Sequence, residues 1–351
     1  MIIYLRKHIL YLLLTSILLL QAGSSSWGEQ PRGETTKLKV LMLPFLSHAH
    51  FFIAEEEGFF AEQRLQIEYI RMADSAAAIP ALAQGDIDVI GTLLRISLFN
   101  AIYREGKIKF VADKGYLNTT GCSSYSNFIA RRRLVESGEL KNPAQLKGKR
   151  VEISPGSLEA YYLDKLLNTV GLTLADVKTT DIPTPVITEA FEKGIVDLTV
   201  TSQPRGIQIL KSGHGVLWMS VHQLLPNFQF GAILYGPSLL YKNPDVGKRF
   251  MVANLKAVRQ YNQGKTKRNL DILAKHTGLD RELLEEVCWP AIRNNGQIHI
   301  ESVMDYQAWA MKKGFLDKEV APNQFWDPRF IDYANKVLNS SKNNFDSSDE
   351  I

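Results

Sequence analysis

The 351-residue sequence predicts an α/β protein built from two lobes of the same layout. Three observations predict it. Strand-like and helix-like patterns alternate from residue 38 onward, and such alternation implies parallel strands with helices on both faces. The stretch "ALAQGDIDVIGT" (81–92) is echoed by "AFEKGIVDLTVT" (190–201): Ala81 matches Ala190, Gly85 matches Gly194 and Asp88 matches Asp197, at a constant offset of 109. The alternation also restarts near residue 126, so each half carries one copy of the phrase. This length is comfortable for two cores, and 45% apolar with 22% charged residues is an ordinary soluble composition.

In chain order, the N-terminus comes first and is set apart from the fold. Arg6 and Lys7, the apolar run Ile9–Leu20 and the small residues that follow have the layout of a secretory signal peptide over residues 1–28. The apolar run of about 12 residues is short of the roughly 20 that a membrane span needs, which weighs against the alternative of a retained anchor. No cysteine lies there to take a lipid. Cleavage between Ala22 and Gly28 and a periplasmic mature protein are expected.

The first block then reads as strand "LKVLML" (38–43), helix "FFIAEEEGFF" (51–60) anchored by its four phenylalanines, and strand "LQIEYI" (65–70). "DSAAAIPALAQ" is a helix capped by Asp74 or Ser75, with Pro80 expected to shorten or kink it. Gly85 stops that helix, "IDVIG" is a strand, "TLLRISLFNAIYREG" a helix and "IKFVAD" a strand. The second block, 126–222, repeats the scheme. Its strands are "NFIARR", "KRVEIS", "VKTTDIP", "IVDLTVTS" and "GVLWMSV"; its helices are "SLEAYYLDKLLNTVG", "VITEAFEKG" and "PRGIQILKSG". "FQFGAILYG" (228–236) is a further strand, and from Pro237 the pattern turns helical. The last residues, 341–351, are polar and expected to be disordered. The repeated phrase has a structural reading: each lobe needs a helix that stops, turns on a glycine with φ > 0 and feeds a strand. Neither Asp88 nor Asp197 is then expected to touch a ligand.

Composition also excludes. A net charge of +4 and the lack of a basic stripe with interleaved aromatics argue against a nucleic-acid partner. Two cysteines, Cys122 and Cys288, are too few for a cysteine-rich metal cluster; they can pair only if the fold brings them together. His48 and His50 have no carboxylate at metal-ligand spacing, and the run Arg131–Arg133 reads as a solvated surface. No nucleophile elbow, phosphate-binding glycine loop or zinc helix motif is present. No metal, no cofactor and no turnover are therefore expected.

In open α/β sheets, ligands bind beyond the carboxyl ends of strands, where helix starts offer free N–H groups. Five such junctions are readable: "PFLSHAH" (44–50), "ADSAA" (73–77), "GTLL" (91–94), "SPGS" (154–157) and "TSQP" (201–204). They nominate Phe45, Ser47, Asp74, Ser75, Thr92, Ser154, Gly156, Ser157, Ser202 and Gln203 as ligand-binding residues. Tyr125, Tyr161 and Phe228 are the aromatic candidates, Tyr161 because it lies one turn into the helix that "SPGS" starts. One helix end stabilises a charge by about 0.3–1 kcal/mol, up to about 2 when partly buried, whereas micromolar affinity needs about 8 kcal/mol. Closure over an organic body must contribute, which favours a small organic ligand, anionic or aromatic, over a bare inorganic anion.

Four stretches, in order over roughly 37–340, carry a family resemblance: "FFIAEEEGFFAEQRLQIEYI", "DSAAAIPALAQGDIDVIG", "NPAQLKGKRVEISPGSLEAYYLDKLL" and "LAKHTGLDRELLEE". They resemble the periplasmic solute-binding proteins of ABC transporters for nitrate, sulfonates, taurine and thiamine pyrimidine precursors, the SsuA/THI5-like and NMT1-like group. The resemblance implies a type II periplasmic-binding-protein fold, each lobe a mixed sheet flanked by helices, with a helical C-terminal extension on the first lobe. Lobe 1 would comprise 37–118 and 235–340, lobe 2 126–224, with crossings at 118–128 and 224–234. It further implies a monomer that captures a small-molecule ligand and delivers it to an ABC permease with a cytoplasmic ATPase. A periplasmic sensor, or an enzyme on the same fold like those of menaquinone synthesis, are the alternatives; the signal segment weighs against the enzyme. The chain departs from the family in having Gln203-Pro204 where Glu-Pro is common, in the first loop "PFLSHAH", and in lacking the cysteine cluster of the yeast pyrimidine-forming enzymes. N-terminal sequencing of the protein from its native host is expected to begin between residues 23 and 29; an intact Met1 on cytoplasmic protein would contradict export.

Overall fold

Two five-stranded sheets with the same strand order carry the fold. The computed structural model describes residues 34–72, 75, 77–122, 125–182 and 186–346, so the expected signal segment and Asp74 lie outside the described residues. The elements below belong to the unit that starts at Thr36. The first sheet is formed by β1 (Thr36–Leu41), β2 (Leu65–Ile70), β3 (Val89–Leu93), β4 (Lys109–Tyr116) and the late strand β10 (Gln229–Tyr235), in the order β2-β1-β3-β10-β4. Between its strands lie α1 (Ala49–Glu56), α2 (Phe59–Glu62), α3 (Ile79–Gln84) and α4 (Ile96–Glu105). The second sheet holds β5 (Ser126–Arg131), β6 (Arg150–Glu152), β7 (Lys178–Thr180), β8 (Leu198–Ser202) and β9 (Gly215–Ser220), in the order β7-β6-β8-β5-β9. Its helices are α5 (Arg132–Glu136), α6 (Leu158–Asn168), α7 (Ile187–Glu192) and α8 (Arg205–Lys211).

Each sheet is mixed, as the family resemblance implied, where strand–helix alternation alone implied parallel strands. β5 runs antiparallel to β8 and β9, and β10 antiparallel to β3 and β4. The cause is connectivity. The chain leaves each sheet at the carboxyl end of a strand and enters the other lobe from the same side, so the entering strand points the opposite way. β4 ends at Tyr116 and β5 starts at Ser126, and β9 ends at Ser220 and β10 starts at Gln229; residues 126–128 and 229–234, expected in crossings, are sheet residues. Gln229 is pinned where it enters: its amide donates to the buried Asp113 of β4 (2.7 Å), and Arg293 donates to both side chains.

The repeated phrase forms the same clasp twice. Gly85 and Gly194 have φ of +87° and +64° and end their helices; Asp86 N–H then donates to Ala81 O (2.9 Å) and Ile195 N–H to Ala190 O (2.8 Å). Asp88 N–H donates to Lys39 O (2.9 Å) and its carboxylate accepts from Lys39 N–H (2.8 Å). In lobe 2 Asp197 N–H donates to Arg150 O (2.9 Å), and its carboxylate accepts from Arg150 N–H (3.0 Å) and from the guanidinium (2.7 and 3.0 Å). Each aspartate thus ties the first parallel strand of its lobe to the third.

α3 is shortened and not kinked at Pro80. The proline sits in the first turn, where no N–H is needed, and the helix starts at Ile79, after Ala78, and not at Ser75. After β10 come α9 (Pro244–Tyr261), α10 (Lys267–Thr277), α11 (Arg281–Glu286), α12 (Ile300–Lys312), α13 (Pro322–Phe325) and α14 (Arg329–Asp346). α14 reaches six residues into the stretch expected to lack order. α9 packs against α1 and α14 on lobe 1. α12 reaches to lobe 2: Asp305 accepts from Tyr161 and Lys165, and Asp164 accepts from Trp309 and Lys313. One apolar core accordingly runs from Phe99 and Phe110 through Tyr306 and Trp309 to Leu163 and Phe128. Cys122 and Cys288 form a disulfide that fastens the first linking segment to the turn after α11. Among the described residues no helix is long and apolar enough to cross a membrane.

Burial pushes the Asp197 carboxyl up, but its hydrogen bonds from Arg150 outweigh this and hold it below the usual carboxylate value. A carboxyl depressed on folding adds stability at neutral pH and loses it as pH falls. Asp197→Ala is expected to lower unfolding free energy by about 1–3 kcal/mol at pH 7 in denaturant titrations. The deficit should shrink below about pH 4, where the carboxyl of the unfolded chain takes up its proton, and fade further as the native group does so at lower pH.

Candidate functional site

The carboxyl ends of β1, β3 and β4 face those of β8 across a cavity of about 380 Å³. Lobe 1 supplies its floor. Lys114, on β4, is 1% exposed and lines the cavity, and its ammonium donates to Ser47 Oγ (2.9 Å). The neighbouring carboxylate of Asp113 is engaged by Gln229, Arg293 and Gly115 N–H. Glycine at 91 is what lets the lysine lie there, since a Cβ would come within 2.6 Å of Lys114 Cε. Burial first, then the charge of Arg95, pushes the Lys114 ammonium down to about 7, with Asp113 pulling the other way.

His48 lies beside it, 2% exposed; neither ring nitrogen makes a well-aligned hydrogen bond, and its nearest polar neighbour is the Gly91 backbone. Burial and then the Lys114 charge hold it well below the usual imidazole range, so it is neutral at pH 7. His50 is lowered to about 3 for the same two reasons, and its Nδ1 lies 2.8 Å from Asn254 Oδ1. Ser75 and Thr92 share a hydroxyl hydrogen bond (2.8 Å) on this wall, and Phe45 stands at its rim, 53% exposed. From lobe 2 come Tyr125, Thr201, Ser202, Gln203, Glu159 and Arg205. Thr201 Oγ1 is buried without a partner. Tyr125 stacks on Phe230 (5.2 Å), and its carbonyl accepts from Gln203 N–H (2.9 Å). Ser202 Oγ meets Ser126 Oγ (2.9 Å), and Gln203 Oε1 accepts from Ile207 N–H at the start of α8. Gln203-Pro204 is a cis peptide. Three cations (Arg95, Lys114, Arg205) thus face one carboxylate, Glu159, in a cleft suited to an anion.

Of the sequence-nominated residues, Phe45, Ser47, Ser75, Thr92, Tyr125, Ser202 and Gln203 converge on this cavity. Ser154, Gly156 and Ser157 line an adjoining groove against Leu93–Ser97 and Phe315, which shares Arg95 and Glu159 with the cavity. Their polar groups are engaged: Ser154 donates to Asp181, Ser157 caps Ala160 N–H, and Gly156 O accepts from Tyr306. Gly156, at φ +73°, lets the lobes approach, since a Cβ would meet Ile96 at 2.9 Å. Tyr161 and Phe228 do not overhang the cleft. They stack at 5.1 Å within the core, because the face of α6 that carries Tyr161 is covered by α12.

Comparison with known proteins agrees with this architecture. The sequence model of the NMT1/THI5-like family matches residues 46–263. The chain belongs to that family. A protein of Haemophilus influenzae named for thiamine biosynthesis is 30% identical over 135 residues, which span 38% of this chain and 40% of that one, less than half of either. A protein of Brucella abortus named as a binding protein is 23% identical over 66% of this chain and 69% of its own length. Among solved structures, the periplasmic nitrate-binding protein NrtA from Synechocystis superposes with a TM-score of 0.70 at 15% identity, covering 87% of this chain and 89% of that one. The alkanesulfonate-binding protein SsuA from Xanthomonas axonopodis, bound to MOPS, gives 0.65 at 17% identity, covering 84% and 99%. The desulfurization enzyme DSZB gives 0.62 at 13%, covering 86% and 99%. At these identities the structural likeness shows a shared fold, one found in both binding proteins and an enzyme.

For this NMT1/THI5-like chain, sequence reasoning missed Lys114, Thr201, Arg95 and Arg205, and set His48 aside. One signal was available: "IKFVADKGY" ends an expected strand, covered on both faces, on Asp113 with Lys114 directly after it, where charges need a purpose. A lysine whose value falls from about 10.4 to about 7 on folding binds its proton less well in the native state. Native stability therefore decreases as pH falls from 10 toward 7. Lys114→Met is expected to stabilise the ligand-free protein by about 1–3 kcal/mol at pH 7, an advantage that narrows toward pH 10. Denaturant melts at both pH values check this.

Proposed function

We propose that the chain is an extracytoplasmic solute-binding protein that closes its two lobes on a small organic anion and delivers it to an ABC permease with a cytoplasmic ATPase. The observation that carries the reading is the cavity floor. A buried ammonium with a hydroxyl as its hydrogen-bond partner, a buried neutral imidazole with no well-aligned hydrogen bond and an unpartnered threonine hydroxyl from the opposite lobe belong to residues that line one cavity. Buried polar atoms left unpaired cost about 1–3 kcal/mol each, and the oxygens of a carboxylate, sulfonate or similar group would pair them. A neutral His48 can donate from one nitrogen without adding charge. Thr201 comes from the second lobe, so an anion seated on Lys114 would draw the lobes together. Phe45, Leu43 and Tyr125 offer apolar surface to the organic part. The nitrate and alkanesulfonate named for two structural neighbours support an anion, and the expected signal segment supports export.

One observation favours a second reading. Ser47 lies 2.9 Å from a lysine whose value is near 7, the relation of a nucleophile to its base. Turnover of an acyl ester that Ser47→Ala abolishes would support this enzyme.

Under the binding reading, calorimetry of the mature protein with short alkanesulfonates and carboxylates should show saturable binding that Lys114→Met abolishes. Thr201→Val should weaken it by roughly fivefold to tenfold, the equivalent of one hydrogen bond to a charged group. Small-angle scattering should show compaction at saturation. Equal affinity in wild type and Lys114→Met would overturn the reading.

A further inference from the structure

Helix α8 of lobe 2 has two faces, and each is packed on a different lobe. Gly206, Ile209 and Leu210 turn inward onto the small core around Ile129 and Phe191. Ile207, Gln208 and Lys211 lie on the opposite side, at the i, i+1 and i+4 spacing of one helix face. A surface helix would leave that side in water. Ile207 is instead packed against the core of lobe 1 that β1, α1, α9, α10 and α11 build. Gln208 lines the central cavity opposite Leu279, which lies on the turn between α10 and α11. Lys211 Nζ pairs with Oε2 of Glu286, the last residue of α11, at 2.5 Å.

The lobe 1 half of this contact is held in place. Cys288, two residues past α11, is bonded to Cys122; Trp289 Nε1 donates to Leu284 O (2.9 Å), and Lys265 donates to Glu285 O. Arg281 at the head of α11 is paired with Asp271, so the far end of the helix, with Glu282, Glu285 and Glu286, is acidic and suits a lysine opposite. The lobe 2 half is tied to the cleft: Ile207 N–H donates to Oε1 of the cavity residue Gln203 (2.9 Å). Ile207 and Lys211 themselves do not line the cavity. An exposed ion pair adds little alone, and the apolar contact of Ile207 carries more.

We infer that the outward face of α8 and the α10–α11 corner form an interlobe latch, through which Ile207 and Lys211 set ligand affinity and release without touching the ligand. This rests on the solute-binding reading, in which the lobes close on an anion, and deepens it by naming what holds the closed arrangement from outside the cavity. A contact made only when the lobes are together raises the closed fraction, and apparent affinity scales with that fraction.

The test uses the mature protein, with ethanesulfonate and propionate as probes. In calorimetry, Ile207→Ala should weaken binding by about threefold to tenfold. Lys211→Glu, which sets like charges opposite each other, should weaken it by about threefold. Exchanging the two charges, Lys211→Glu with Glu286→Lys, should restore wild-type affinity, a rescue that a merely structural lysine would not show. Stopped-flow measurements should place each loss in the release rate, and thermal melts confirm that the variants are folded. Unchanged affinity in either single variant, or a Lys211→Glu loss that the exchange does not relieve, overturns the latch while leaving the anion seat standing. Binding of no probe by the wild type overturns the anion seat, and the latch falls with it.

Discussion

Both lobes depend on one contact, a carboxylate that accepts a backbone N–H where a strand partner is missing. β3 and β8 start too late to offer a carbonyl to Lys39 and Arg150 at that level, and Asp88 and Asp197 supply the acceptor instead. The same residues donate back through their own N–H groups, so the first and third strands are tied in both directions. Everything at the cleft is measured from that tie. Ser47 and His48 follow the first strand of lobe 1, Thr92 ends its third, and Thr201 and Ser202 end the third strand of lobe 2. The repeat in the sequence is therefore not a trace of ligand chemistry. It is the same mechanical solution used twice, 109 residues apart, to aim strand ends at a shared gap.

The gap itself is kept at a cost. A lysine is held out of water in a channel that only glycine at 91 leaves open, and its nearest carboxylate is committed to the residues that fix the return strand. Nothing in the packing of lobe 1 requires a positive charge there. On the binding reading proposed above, a group that weakens the resting fold and faces a cavity is kept for what enters the cavity.

Much of the fold was legible because it rests on local rules. Strand β2 begins and ends where period-two alternation places it, and Gly85 and Gly194 stop their helices for the steric reason that singles out glycine. The linking of the lobes was less so. That β5 and β10 run against their neighbours follows from which side the chain arrives, a tertiary fact with no local signature. The junction residues Ser47, Ser75, Thr92 and Ser202 reached the cleft because strand ends do so in any open α/β sheet. Tyr161 failed because a helix shows its periodicity in sequence but not which neighbour covers each face; α12, some 140 residues later, covers it. Lys114 was missed for a related reason. Its surroundings read as strand, and only three-dimensional packing reveals that Asp113 is engaged elsewhere.

The disulfide has a topological consequence. Cys122 lies just before the second lobe begins, and Cys288 lies well after the chain has returned to the first, 166 residues on. The entire second lobe is thus a loop closed on itself by a covalent bond. A protease acting on any exposed turn of that lobe would open the ring without releasing a fragment: the two pieces would stay joined at sulfur, held on the same partner surfaces. In an oxidising compartment with active proteases, a single cut there would leave the protein nicked but still one molecule.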